Sequence, residues 1–190
     1  MAGVYEKVPV FENERWILRK TGNEDAKDLF EVYSDQKAVP FFNSDNCDGD
    51  TFYYDTMEKM EKAIDFWESS YKGRWFVRWS IIDKVKNKAI GTIELFHRNS
   101  TDNFNNTGLL RLDLRSDYEA ENTIIDILGL ILKDTYESFE CDKIATKAFA
   151  PATERIKALE ILGFAETPNH LVGHDGTEYD SYYITQMELS

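Results

Sequence analysis

Residues 108–164 read GLLRLDLRSDYEAENTIIDILGLILKDTYESFECDKIATKAFAPATERIKALEILGF. The alternation in Gly108–Arg115 predicts a strand, and Ser116–Asn122 is a tight polar link. Thr123–Phe139 carries apolar residues at helical spacing, Asp142–Phe149 reads as a second strand, and a short helix ends at Gly163-Phe164. A strand–link–helix–strand unit of this length is a right-handed crossover between parallel strands. It sets the helix N-terminus just beyond the end of the first strand, where the dipole favours an anion.

Working outward, Arg15–Lys20 is the first expected strand. Asn23 is placed as the cap of a helix over Glu24–Ser34, with Ala26, Leu29, Phe30 and Tyr33 on one face. An irregular aromatic stretch leads to Thr56, the start of a helix whose Met57, Met60, Ile64, Trp67 and Tyr71 form an amphipathic stripe. Trp75–Asp83 and Ala89–Arg98 flank the turn KVKNK and read as a hairpin. Glu166–Val172 and Glu178–Leu189 are the last expected strands, joined by the turn Gly173-His174-Asp175-Gly176. The sum is one α/β domain over 1–190: a mixed, mostly antiparallel seven-stranded sheet with helices on both faces, in the order β-α-α-β-β-β-α-β-α-β-β.

The chain has 190 residues, 42% hydrophobic and 14% aromatic, which suits one ordinary core. Its net charge of −13 argues against nucleic acid and anionic membrane as partners, and suits a cationic one. Two cysteines, Cys47 and Cys141, lack metal or redox spacing and read as free thiols in a reducing compartment. No basic-then-apolar leader and no apolar run near 18 residues is present, so a cytoplasmic protein is expected. Acidic and glycine spacing fits no calcium loop, and no metal is expected.

Three segments carry a family resemblance. Ala89–Arg98 (AIGTIELFHR), Leu109–Leu128 and Lys143–Phe164 (KIATKAFAPATERIKALEILGF) resemble, in order, the third strand, the fourth strand with pyrophosphate loop and helix, and the fifth strand with its helix, of the GNAT N-acetyltransferases. The ribosomal-protein branch is the nearest in kind. The resemblance implies direct transfer of an acetyl group from acetyl-CoA, as co-substrate, to a primary amine on a small molecule or protein. It implies pantetheine along the backbone of Leu112, Asp113 and Leu114, in a wedge where two strands splay. The diphosphate falls on amides of Ala120, Glu121, Asn122 and Thr123, with Arg155 as a phosphate partner. Glu94 is the candidate general base, sharing a strand face with Thr92 and Phe96, opposite Ile93 and Leu95, and reads equally as an exposed or salt-bridged strand carboxylate. A homodimer is compatible with the chain.

Two features depart from the family pattern. The loop's Gly-x-Gly appears as Ala120-Glu121-Asn122, among the carboxylates of Asp117, Glu119 and Glu121; the Asn expected after Pro151 is Ala152. Ser116–Glu119 also reads as a capping box that simply starts a helix. Asp113, between Arg111 and Arg115, reads equally as part of a cross-strand charge cluster. His97 falls with Ile93 and Leu95 and reads as structural. The aromatics and acids of Phe41–Tyr54 suit a cationic acceptor. The alternative to a transferase is a GNAT-fold binding or interaction module that has lost efficient acetyl-CoA binding.

Overall fold

The computed structural model describes residues 3–186. Its strands are β1 (Phe11–Glu12), β2 (Trp16–Lys20), β3 (Val77–Asp83), β4 (Lys88–Arg98), β5 (Thr107–Leu114), β6 (Lys143–Lys147), β7 (Ala165–Glu166), β8 (Leu171–Val172), β9 (Glu178–Tyr179) and β10 (Tyr182–Gln186). Its helices are α1 (Ala26–Tyr33), α2 (Met57–Lys72), α3 (Glu121–Gly129), α4 (Leu132–Ser138) and α5 (Thr153–Ile161). Eight strands form one sheet in the order β1-β2-β3-β4-β5-β6-β10-β7, and β8 pairs with β9 separately. β5 and β6 are parallel and every other pair is antiparallel.

The central strands are buried on both faces. Trp16, Leu18, Val77, Trp79, Ile81, Ile93, Leu95, Leu110, Leu112 and Leu114 pack toward α3 and α5 residues such as Ile124, Leu128 and Leu159. The other face lies under α1, α2 and their connection, where Leu29, Tyr33, Phe42, Phe52, Tyr54, Met60 and Trp67 make a second core. Thr56 starts α2 as expected, its hydroxyl accepting from the Lys59 amide at 3.3 Å.

Several boundaries differ from expectation for local reasons. The extra edge strand β1 forms because the Asn13 carboxamide accepts from the Arg15 and Trp16 amides and turns the chain. Asn23 is not a cap: Asn23–Asp25 is a 3-10 turn, and buried Asp25 takes the Gly22 amide and Arg19. The long helix is two, since Gly129 ends α3 and the Leu130 and Ile131 amides bond three residues back. Ser116–Tyr118 is a 3-10 turn and α3 starts at Glu121 with no side-chain cap, so the capping box does not form. The strand expected over Glu166–Val172 is interrupted around Pro168, which has no amide to donate: Glu166 ends β7, and Leu171–Val172 form β8 against β9. The one expected over Glu178–Leu189 breaks at Ser181, which is left-handed, and its residues 187–189 lie outside the described residues.

One irregularity positions the site. Between β3 and β4 the register shifts, Ile81 opposite Gly91 but Ile82 opposite Ala89, leaving Ile90 as an extra residue. Ala89 accordingly lies in the α1/α2 core and Ile90 in the opposite one. Gly91 is required here: a Cβ would stand 2.1 Å from the Asp113 carbonyl oxygen.

A buried charge ladder beneath an aromatic cavity

Alternation from the bulge onward turns Thr92 and Glu94 toward α1 and α2. Arg78, Glu94 and Arg111 stand directly opposite one another across β3, β4 and β5. Arg78 Nη2 donates to one Glu94 oxygen and Arg111 Nη1 to the other, the latter at 2.7 Å. Arg78 Nη1 also donates to the Tyr33 hydroxyl, Thr92 Oγ1 and Asp113 Oδ2, at 2.9, 3.0 and 3.3 Å. Tyr33, from α1, donates to Asp113 Oδ2 at 2.7 Å. Glu94 is 1% exposed and Asp113 0%.

Burial and neighbouring charge shift these groups in opposite directions. Burial would push the Glu94 carboxyl up, but Arg78 and Arg111 outweigh it and hold its pKa below the ordinary value. Burial opposes the charge on Arg78 too, yet Glu94, Tyr33 and Asp113 raise its pKa. For Asp113, 0% exposed, burial prevails and the pKa rises. Both Glu94 oxygens accept from guanidiniums, which stabilise its charged form.

Arg78, Glu94 and Arg111 form the floor of a cavity of about 410 Å³ walled by Phe52, Tyr54, Phe66, Trp67 and Phe76, with Asp48 and Asp50 at its mouth. The Arg78 guanidinium stacks 4.0 Å from the Trp67 ring centroid. The loop over the cavity holds Asn46, Asp48 and Phe52 in left-handed backbone, costly for an aromatic residue. Asp50 over-determines that shape, accepting from the Phe52 amide at 2.7 Å and the Tyr54 hydroxyl at 3.2 Å. From the β8–β9 turn, His174 meets Asn46 Oδ1 and Asp48.

The other predicted site lies across the sheet. β5 and β6 pair only as far as Leu110 and Thr146, and beyond that the strands part. Strand alternation directs the backbone of Leu112 and Leu114 into the gap. The Asp113 backbone faces β4 instead, its carbonyl against Gly91, so Asp113 does not join that set. The gap is filled from within. Arg155, 2% exposed, donates through Nη1 to the Leu112 carbonyl at 2.9 Å and the Phe41 carbonyl at 3.0 Å. Its Nε and Nη2 grip Glu119 in a two-point pair at 2.6 and 2.8 Å. Ala120 is the N-cap of α3, and Glu121, Asn122 and Thr123 are its first turn. The Glu121 amide donates to Glu154 Oε2 at 3.4 Å.

Of the residues expected at a site, then, Glu94 lies on the α1/α2 face, while Leu112, Leu114, Ala120–Thr123 and Arg155 gather at the splayed strands. Sequence reading missed Arg78 and Tyr33. Arg78 alternates with Val77 and Trp79 in a strand buried on both sides, and a charged residue at such a position demands a partner. That was the available signal. His97 lines a smaller recess with Phe96, Arg98 and Tyr182. Cys47 and Cys141 are free thiols. Among the described residues no helix is long and apolar enough to cross a membrane, and no group of three or more His, Cys, Asp or Glu could hold a metal ion.

A mixed sheet with a splayed parallel pair, and a helix starting at the mouth of the splay, defines the N-acetyltransferase class of fold. Residues 15–165 match the family model described as "Acetyltransferase (GNAT) domain", and the chain belongs to that family. No curated protein sequence matches it. Similar solved structures include a GNAT-family acetyltransferase from Bacillus anthracis, with 14% identity and a TM-score of 0.67 over 94% of this chain and 98% of that one. Another is the ribosomal-protein-S5-alanine acetyltransferase from Vibrio fischeri, with 16% identity, a TM-score of 0.68, and 94% and 96% covered. RimL, a ribosomal L7/L12 α-N-protein acetyltransferase in complex with coenzyme A, gives 11%, 0.69, and 96% and 100%. At these identities the likeness is one of fold.

The acyl-CoA that the family implies does not fit the residues in place. The Leu112 carbonyl that pantetheine would use already accepts from Arg155, and the first amide of α3 donates to Glu154.

Proposed function

We propose that this GNAT-family chain is a binding module that holds a primary amine, on a small molecule or a protein, in the aromatic cavity, and that acetyl transfer is not its principal activity. The observation that carries the reading is the state of Glu94: the cavity's buried acid is committed to two guanidiniums, so the floor offers no free base. The walls suit a cation. Phe52, Tyr54, Phe66 and Phe76 line it beside the Trp67 ring that Arg78 covers, Asp48 and Asp50 supply negative charge at the mouth, and the whole chain is acidic. The two free cysteines suit a reducing, cytoplasmic setting.

A second reading is acetyl-CoA-dependent transfer to that amine. The family match supports it, as do the similar structures of ribosomal-protein acetyltransferases. It requires Arg155 to leave Glu119 and Leu112.

Calorimetric titration with alkylamines, polyamines and short peptides with free N-termini tests the first reading. Saturable binding that weakens several-fold in Asp50→Asn, with no thiol release when acetyl-CoA is added, is the expected result. Absence of binding across the panel, or turnover of acetyl-CoA with any amine, overturns it.

A further inference from the structure

The contacts at the β5–β6 splay are arranged like a ligand's. A guanidinium N–H reaches the Leu112 carbonyl, a strand acceptor released by the loss of β6. A carboxylate oxygen meets the first amide of α3. The same Nη1 also donates to the Phe41 carbonyl and the other two nitrogens to Glu119, so every nitrogen of the group is bonded at 2% exposure. We propose that Arg155, Glu119 and Glu154 are an internal stand-in for acyl-CoA, which closes the donor cleft of this chain. Arg155 takes the place of the pantetheine amide on β5, and the Glu154 carboxylate takes the place of a diphosphate oxygen at α3.

The arrangement excludes the ligand in two ways. A planar fork held by four hydrogen bonds to three separate segments has no neighbouring rotamer that keeps its partners. Glu119, once deprived of Arg155, would present a bare carboxylate to an incoming diphosphate. Displacing the side chain therefore exposes a repulsive charge as well as breaking a buried pair. The donor side thus ties β5, α5, the Phe41 segment and the 116–120 link together without a ligand. This holds whether or not the cavity on the other face takes an amine.

The test is titration of the full chain with coenzyme A, read by calorimetry and by thermal melting. Wild type is expected to show no saturable binding up to about 1 mM and no rise in melting temperature. Glu119→Gln/Arg155→Ser, which removes the fork and the charge it neutralises together, is expected to bind at least tenfold tighter and to melt higher with coenzyme A present. Glu119→Gln alone leaves Arg155 on the Leu112 and Phe41 carbonyls and is expected to melt lower than wild type yet still show no binding of coenzyme A. Micromolar binding by wild type overturns the proposal, a result that needs no variant to fold. So does a gain of binding in Glu119→Gln alone, or a well-folded double variant indistinguishable from wild type.

Discussion

Replacing Glu94 by Gln keeps the shape of the side chain and removes its charge, leaving Arg78 and Arg111 facing each other in a buried layer. Arg78 keeps Asp113, Tyr33 and Thr92 as partners, whereas Arg111 keeps only the Asp45 carbonyl, at 2.9 Å. Removing one member of a buried ion pair costs about 3–5 kcal/mol, mostly from the charge left uncompensated. Asp113 shares the load on Arg78, so the lower half of that range is expected. For a domain of this size, about 3–4 kcal/mol corresponds to a fall of roughly 6–16 °C in melting temperature. Thermal and urea denaturation followed by circular dichroism would measure it. Because the ladder is buried, about 0.5 M salt should change the loss little. A loss below about 1 kcal/mol, or one largely restored by salt, would refute the reasoning and make Glu94 a solvated, available carboxylate after all.

Further outcomes follow from other contacts. Gly91→Ala places a methyl 2.1 Å from a backbone oxygen that cannot yield, and should cost about 3 kcal/mol or more in urea midpoint measurements. Asp102 feels burial pushing its pKa up, but Arg98, Ser100 and the amides of Val172 and Phe104 hold it far below the usual carboxylate range. A depressed folded value means its stabilisation is present above the unfolded pKa of about 3.9 and is lost as pH falls below that. Asp102→Asn should therefore flatten the acid limb of a stability–pH curve below about pH 4 and lower stability at pH 7. Phe66→Ala removes a largely exposed ring from the cavity wall. It should leave the melting temperature within a few degrees while weakening amine binding about two- to thirtyfold, read by calorimetry.

Much of the fold was legible because its signals are local. The alternation of Gly108–Arg115, the helical spacing after it, and Gly163 after a helix each state their element within a few residues. The boundaries that moved were decided by partners distant in sequence or by one backbone group. Asp25 goes to Arg19 and Ser80, which pre-empts Asn23 as cap, and β1 exists because β2 lies beside it. The charge cluster was half visible. Asp113 with its flanking arginines suggested cross-strand pairing, but the partners proved to be Arg78 and Tyr33, on β3 and α1, while Arg115 turns outward to Glu31 and Asp117. Arg155 was read as a phosphate ligand from its residue type. That it turns inward to Glu119 depends on the strands parting beside it, which periodicity does not encode.

The extra residue at Ile90 gives β4 something like a reading frame. Upstream of it the side chains alternate in one phase, downstream in the other, and Glu94 meets Arg78 and Arg111 only in the second. Deleting Ile90 would close the bulge, leaving Ala89 and Gly91 opposite Ile82 and Ile81 and Glu94 still facing Arg78, whereas deleting Thr92 or Ile93 with the bulge kept would carry Glu94 among Leu110, Leu112 and Ile124. An insertion or deletion of the same length in the loop 99–106 has no alternation to invert. β4 can therefore lose a residue at the bulge but not beyond it, and its register downstream of Ile90 keeps the charged and apolar layers of this protein apart.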